Sequence, residues 1–199
     1  MAEDAERMTM RLALQAKKHE MEARKFARLG RMHAVLSAVD AAAESVQNVR
    51  ALLHGTCRIA VEDGGFGAAW AALYDGEGHR VRAITTEGLG QFALANPLVL
   101  NGTPSDGTLL ARAIATGEPT ICNNIAKVFL PSSALRQEAL RRGLRSMAMC
   151  PLHTGDAVTA VLTLLAREPD AFDHDEVKLL EQLAEDLSAA LTGIDRTSA

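Results

Sequence analysis

Arg145–Arg167 reads RSMAMCPLHTGDAVTAVLTLLAR, and the fold follows from how this segment is read. Two apolar arms flank Gly155-Asp156, a pair of residues suited to a tight reversal, so the segment predicts an antiparallel hairpin of Arg145–His153 against Ala157–Arg167. Side chains alternate across a strand, which puts Met147 and Met149 on one face and Cys150 on the other. After the hairpin comes a helix. Asp173 stands as its N-cap and Glu176 three residues on as the partner in a capping box, while Val177, Leu179, Leu180, Leu183, Leu187 and Leu191 form its buried side.

Upstream, Ser133 caps a helix through Arg142 that Gly143 closes, preceded by an irregular stretch over 123–133. A strand at Pro119–Cys122 and a short helix at Thr108–Thr116, stopped by Gly117, come before that. Residues 96–100 read as a short extended piece before the turn NGTPSDG. AAWAALYDGEGHRVRAITT predicts two more antiparallel strands around Asp75-Gly76-Glu77-Gly78, and a helix over 46–63 ends at Gly64-Gly65. With no βαβ repeat and no glycine-rich phosphate loop, hairpins flanked by terminal helices predict an α+β sandwich.

The N-terminus reads differently. Residues 1–43 hold no proline, only Gly30 among glycines, and many good helix formers. A helix over 4–43 would run roughly 60 Å at about 1.5 Å per residue. Gln15–Lys25 offers little to bury except Met21, so this helix needs a partner. Met8, Leu12, Phe26 and Leu29 keep a heptad-like spacing interrupted by Gln15, His19 and Glu22, a weak and register-flexible coiled-coil pattern. From Met32 the pattern improves, with Val35, Leu36 and Val39 on the same face. The expected organisation is a signalling helix over 1–31, a globular domain over 32–195 and a tail over 196–199.

Composition narrows the function. The 199 residues carry 21 basic and 25 acidic side chains, for a net charge of −4, which disfavours a phosphate-backbone partner. No apolar run is long enough for a membrane span, and the first ten residues lack the apolar stretch of a secretory signal. Cys57, Cys122 and Cys150 form no CxxC pair, so neither a disulfide framework nor structural zinc is expected, and reduced thiols fit a cytoplasmic protein. The six histidines show no HxxxH or HExxH spacing, and carboxylates at Asp173, Asp175 and Glu176 are explained by a helix N-terminus. Metal and haem are not expected.

Four segments together resemble GAF domains of bacterial signalling proteins: CRIAVEDGGFGAAWAALYDGEGHRV, GEPTICNNIA, EALRRGLRSMAMCPLHTGDAVTAVLTLLA and FDHDEVKLLEQLAEDLSAAL. The similarity spans about Met32 to Asp195, and it looks most like the subgroup attached to diguanylate cyclase (GGDEF) and phosphodiesterase (EAL) outputs. The resemblance implies a six-stranded antiparallel sheet with helices on both sides, as in GAF and PAS folds. It implies a small-molecule ligand between one sheet face and its covering loops, near 89–101 and 123–136. It also implies a parallel homodimer through the terminal helices, passing a signal to a downstream output domain. Phe172, Asp175 and Glu176 match the motif of cyclic-nucleotide-binding members, but Ala166-Arg167 stand where Asn-Lys would be, which argues against that ligand. No cysteine has a histidine neighbour, so a covalent bilin is not expected.

Within the implied pocket, the candidate ligand contacts are Trp70, Ile84, Phe92, Ile121, Cys122, Phe129, Met147 and Met149, with Asn123, Asn124 and Ser146 as polar groups. Each has a plainer reading as core or structural filler, and the favoured reading of all three cysteines is as small buried hydrophobes. Two alternatives stand beside the sensor: a purely structural dimerisation domain, and, less favoured, a free methionine sulfoxide reductase using Cys122 and Cys150 as nucleophile and resolving thiol. No catalytic constellation is evident, and the ligand's identity is not legible.

Overall fold

The computed structural model describes residues 2–75, 80–90, 98–99 and 108–198. The expected turn at 76–79, the loop at 100–107 and the candidate ligand contact Phe92 lie outside the described residues, as does most of the cover expected near 89–101. In chain order the elements are α1 (Ala2–Ala43), α2 (Val49–Glu62), β1 (Ala68–Asp75), β2 (Arg80–Glu87), β3 (Leu98–Val99), α3 (Leu109–Thr116), β4 (Thr120–Cys122), α4 (Ile125–Val128), α5 (Ala134–Arg141), β5 (Ser146–Thr154), β6 (Ala157–Ala166) and α6 (His174–Ser198).

The strands form one antiparallel sheet in the order β3-β2-β1-β6-β5-β4. The expectation of six strands needs a correction. Five strands have three residues or more, and β3 is a two-residue ladder against Arg80 and Val81 at the edge. The stretch expected to be irregular after Cys122 contains a helical turn, α4, because the Asn124 side chain accepts from the Lys127 N–H.

Alternation divides the buried residues into two cores. One lies between the sheet and α1, α2 and α6, and includes Ala69, Ala71, Ala148, Cys150, Leu162 and Leu164 from the strands. Met32, Val35, Leu36 and Val39 enter it from α1, and Leu180, Leu183, Leu187 and Leu191 from α6. At about 1.5–3 kcal/mol for each large aliphatic side chain removed from water, these contacts hold the terminal helices to the domain. Gly64 lets α1 come close, since a Cβ there would meet Val35 Cγ2 at 2.6 Å and the Ala60 carbonyl oxygen at 2.5 Å.

The second core lies on the opposite face, under α3, α4 and α5, and includes Trp70, Ala72, Cys122, Met147, Met149, Val161 and Leu165. Residues 6–24 of α1 belong to neither core. Met8, Leu12, Met21 and Phe26 are 59–75% exposed.

Candidate functional site

The second core is the face that covering helices make into a candidate ligand site, and strand register arranges it in rows. Thr86 pairs with Trp70, Trp70 with Thr163, Thr163 with Met149, and Met149 with Thr120, one residue from each of five neighbouring strands. Directly paired residues point to the same side, so this row crosses the candidate face from β2 to β4. Beside it runs Ala68–Leu165–Met147–Cys122, and on the other side Ala83–Ala72–Val161–Pro151. Trp70, Met147 and Met149 are all buried.

The polar groups of this face include the Tyr74 phenol and several threonines, and two of the threonines are unusual. The hydroxyl oxygens of Thr86 and Thr163 are buried and have no hydrogen-bond partner. Thr163 is fully buried. Neither was legible as a candidate, because a threonine in RAITTE or VLTLLA looks like ordinary strand composition until register sets it beside Trp70.

Of the predicted contacts, Trp70, Cys122, Met147, Met149 and the half-buried Phe129 lie in this core. Ile84 and Ile121 do not. A bulge between Ala71 and Ala72 leaves Ile84 without a directly paired residue, since Ala71 pairs with Thr85 and Ala72 with Ala83, and Ile84 packs toward α2. Ile121 alternates with Cys122 and therefore packs on the terminal-helix side.

The three polar candidates make hydrogen bonds within the fold. Ser146 Oγ donates to the Glu168 carbonyl at 2.7 Å. Asn123 Nδ2 donates to the Phe172 carbonyl at 2.9 Å, its Oδ1 accepts from the Phe172 N–H at 3.1 Å, and its own carbonyl accepts from the Asp170 N–H at 2.9 Å. Asn124 is the cap of α4. Asn123 and Ser146 thus pin the β6–α6 loop, and Asp170 within it adopts φ 55°, a left-handed conformation that aspartate tolerates better than most residues.

The loop delivers the chain to α6, where the capping box forms. Asp173 Oδ1 accepts from the Glu176 N–H, and Glu176 Oε2 accepts from the Asp173 N–H. Two cations of α1 bind this N-terminus. Lys25 Nζ lies 2.8 Å from Asp173 and 2.5 Å from Asp175, and Arg28 Nε lies 2.7 Å from Glu176. Burial raises the Glu176 carboxyl, while the hydrogen bond from Glu176 and the nearby Lys25 hold Asp173 well below the usual carboxylate range.

The thiols are not activated. Burial pushes Cys57 and Cys150 up to about 12, and it raises Cys122 despite a hydrogen bond from the Asn124 N–H. Cys122 belongs to the core under α3, α4 and α5 and Cys150 to the terminal-helix core, so the sheet separates the two thiols that the reductase alternative would pair. Among the described residues, no group of three or more His, Cys, Asp or Glu side chains is placed to hold a metal ion, and no helix is long and apolar enough to cross a membrane.

Comparison with known proteins matches the architecture. The chain is similar to the GAF domain of a phosphoenolpyruvate-protein phosphotransferase from Coxiella burnetii, at 16% identity and a TM-score of 0.68 over 85% of this chain and 98% of that one. A free methionine-R-sulfoxide reductase from Neisseria meningitidis, solved with its substrate, aligns at 18% identity and a TM-score of 0.66, covering 84% and 92%. The phycocyanobilin-bound GAF domain of a cyanobacterial phytochrome aligns at 13% and 0.62, covering 83% and 96%. At these identities the likeness concerns fold. A search of curated proteins finds no match. The GAF domain family model matches residues 46–192, most of the chain, and the protein belongs to the GAF domain family.

Proposed function

We propose that this protein is a sensory module that binds a small molecule on the Trp70 face and transmits its occupancy through the terminal helices to an output domain of the cyclic-di-GMP or kinase type. The observation that carries the reading is the Asn123 bridge. Cys122 faces the ligand side, and the next residue is bonded to the loop that starts α6, whose first turn is ion-paired to α1. Movement of β4 against a ligand therefore pulls on a short chain of hydrogen bonds that ends on α1. A ligand that binds one arrangement of this linkage better than another shifts its population.

The exposed apolar residues before Lys25 support a parallel homodimer in which two copies of α1 pair, in a cytoplasmic protein. The free part of α1 is the segment with the interrupted heptad, which suits a change of register.

The test is hydrogen exchange along α1 in the wild type and in Asn123→Ala. The reading expects faster exchange around Lys25–Val39 in the variant, with the sheet unchanged. Equal exchange in α1 would remove Asn123 as the link.

A second reading, a structural dimerisation domain, is favoured by the dense packing of Trp70, Met147 and Met149, each at most 4% exposed. The two readings part over whether the purified protein retains a small molecule. The reductase alternative loses its cysteine pair to the sheet.

A further inference from the structure

We infer that the Trp70 face takes a neutral, planar organic molecule with polar groups at two ends, one engaging the Thr86 hydroxyl and the other the Thr163 hydroxyl. This inference rests on the ligand-binding reading above and specifies its chemistry. Three observations lead to it.

First, the two hydroxyls are buried and unpartnered. Nearly all buried polar groups in folded proteins find a partner, and the hydroxyl of a strand threonine has no backbone need to be where it is. Two such groups in one row mark positions where a partner arrives from outside the chain. A hydroxyl both donates and accepts, so the complementary groups are hydroxyls, carbonyls or amides.

Second, Trp70 lies between the two threonines, with β1 flanked by β2 and β6. Adjacent strands are about 4.8 Å apart, so the two threonines stand about 10 Å apart with the indole between them. Met147 and Met149 add thioethers from β5. Aromatic rings pack well on indoles and against thioethers, which favours a flat ligand over an aliphatic one.

Third, the Thr86–Trp70–Thr163–Met149–Thr120 row and the rows on either side hold no charged side chain. Arg142, which donates to the Gly88 carbonyl beside these rows, is already paired with Glu138, so an ion brought onto the face would lose its hydration without a free counter-charge among these groups. Neutral ligands avoid that cost.

Resorcinol is a suitable probe, being neutral, planar and hydroxylated at two positions, and 3-hydroxybenzoate is its anionic counterpart. The chain has one tryptophan, so fluorescence reads the site directly. The experiment titrates both probes against the full chain and against Thr86→Val and Thr163→Val, with circular dichroism to show that each variant folds. Resorcinol should change Trp70 emission saturably, 3-hydroxybenzoate should bind at least about tenfold more weakly, and each valine variant should weaken resorcinol by about tenfold, the equivalent of roughly 1.4 kcal/mol. If 3-hydroxybenzoate binds as well as resorcinol, the ligand class is wrong while the ligand-binding reading stands. If neither binds, or the valine variants bind resorcinol as the wild type does, the assignment to these hydroxyls is overturned. The broader reading is judged separately, by whether the protein purified from cells retains a small molecule.

Discussion

A threonine hydroxyl buried without a partner costs the free protein about 1–3 kcal/mol, whereas valine has nearly the same shape and no polar atom to desolvate. Thr163→Val should therefore raise the thermal midpoint of the ligand-free protein, by an amount corresponding to about 1 kcal/mol or more, although most core substitutions destabilise. A calorimetric midpoint that falls would show that the hydroxyl is already satisfied. The cysteines allow a second test at this scale. With all three buried and raised above the usual thiol range, none should react with a thiol reagent at neutral pH until the protein is unfolded, and fast labelling of Cys122 in the native state would contradict that. Residue types in sequence grouped Trp70, Met147 and Met149, and the structure sets them on one face of the sheet, because alternation alone determines which side a regular strand shows. The bulge that turns Ile84 to the other face was not legible, nor were the bonds of Ser146 and Asn123, because a polar residue near a pocket and one bonded to a neighbouring loop look the same in one dimension.

At the scale of elements, the contact between α1 and the α6 N-terminus combines apolar packing with ion pairs of opposite pH sense. Asp173 is depressed, so its contribution is full above the ordinary carboxylate value of about 4 and drains away as pH falls through its lowered value. Glu176 is raised, chiefly by burial, so its contribution is full below about 4.3 and is lost as pH rises through its folded value. Glu176→Gln removes the second outright, while the Gln side-chain N–H can still donate to Asp173 and Lys25 remains beside it. The stability of this variant relative to wild type, followed by denaturant unfolding, should improve as pH rises from about 4 to 7. A flat difference would mean that Glu176 does not titrate with a raised value. The capping box and the buried faces of α6 and of α1 from Met32 onward were legible, since both follow from local spacing. The pairing of Lys25 and Arg28 with that cap was not, because it joins residues 148 positions apart in the case of Arg28 and Glu176.

For the whole molecule, the protruding part of α1 sets the expectation for assembly. Its exposed methionines, leucines and Phe26 have nothing to cover them among the described residues, and a second copy of the same helix supplies a matching stripe. Removing residues 1–24 should convert a dimer to a monomer in sedimentation while leaving Trp70 emission unchanged, and a truncated protein that stays dimeric would place the interface elsewhere. The central claim is that this GAF domain holds a small molecule, and native mass spectrometry of the protein purified from cells, set against its denatured mass, tests it most directly. The account predicts a dimer carrying a reproducible extra mass that disappears on denaturation. A dimer at bare polypeptide mass across preparations would contradict it and favour a structural dimerisation domain.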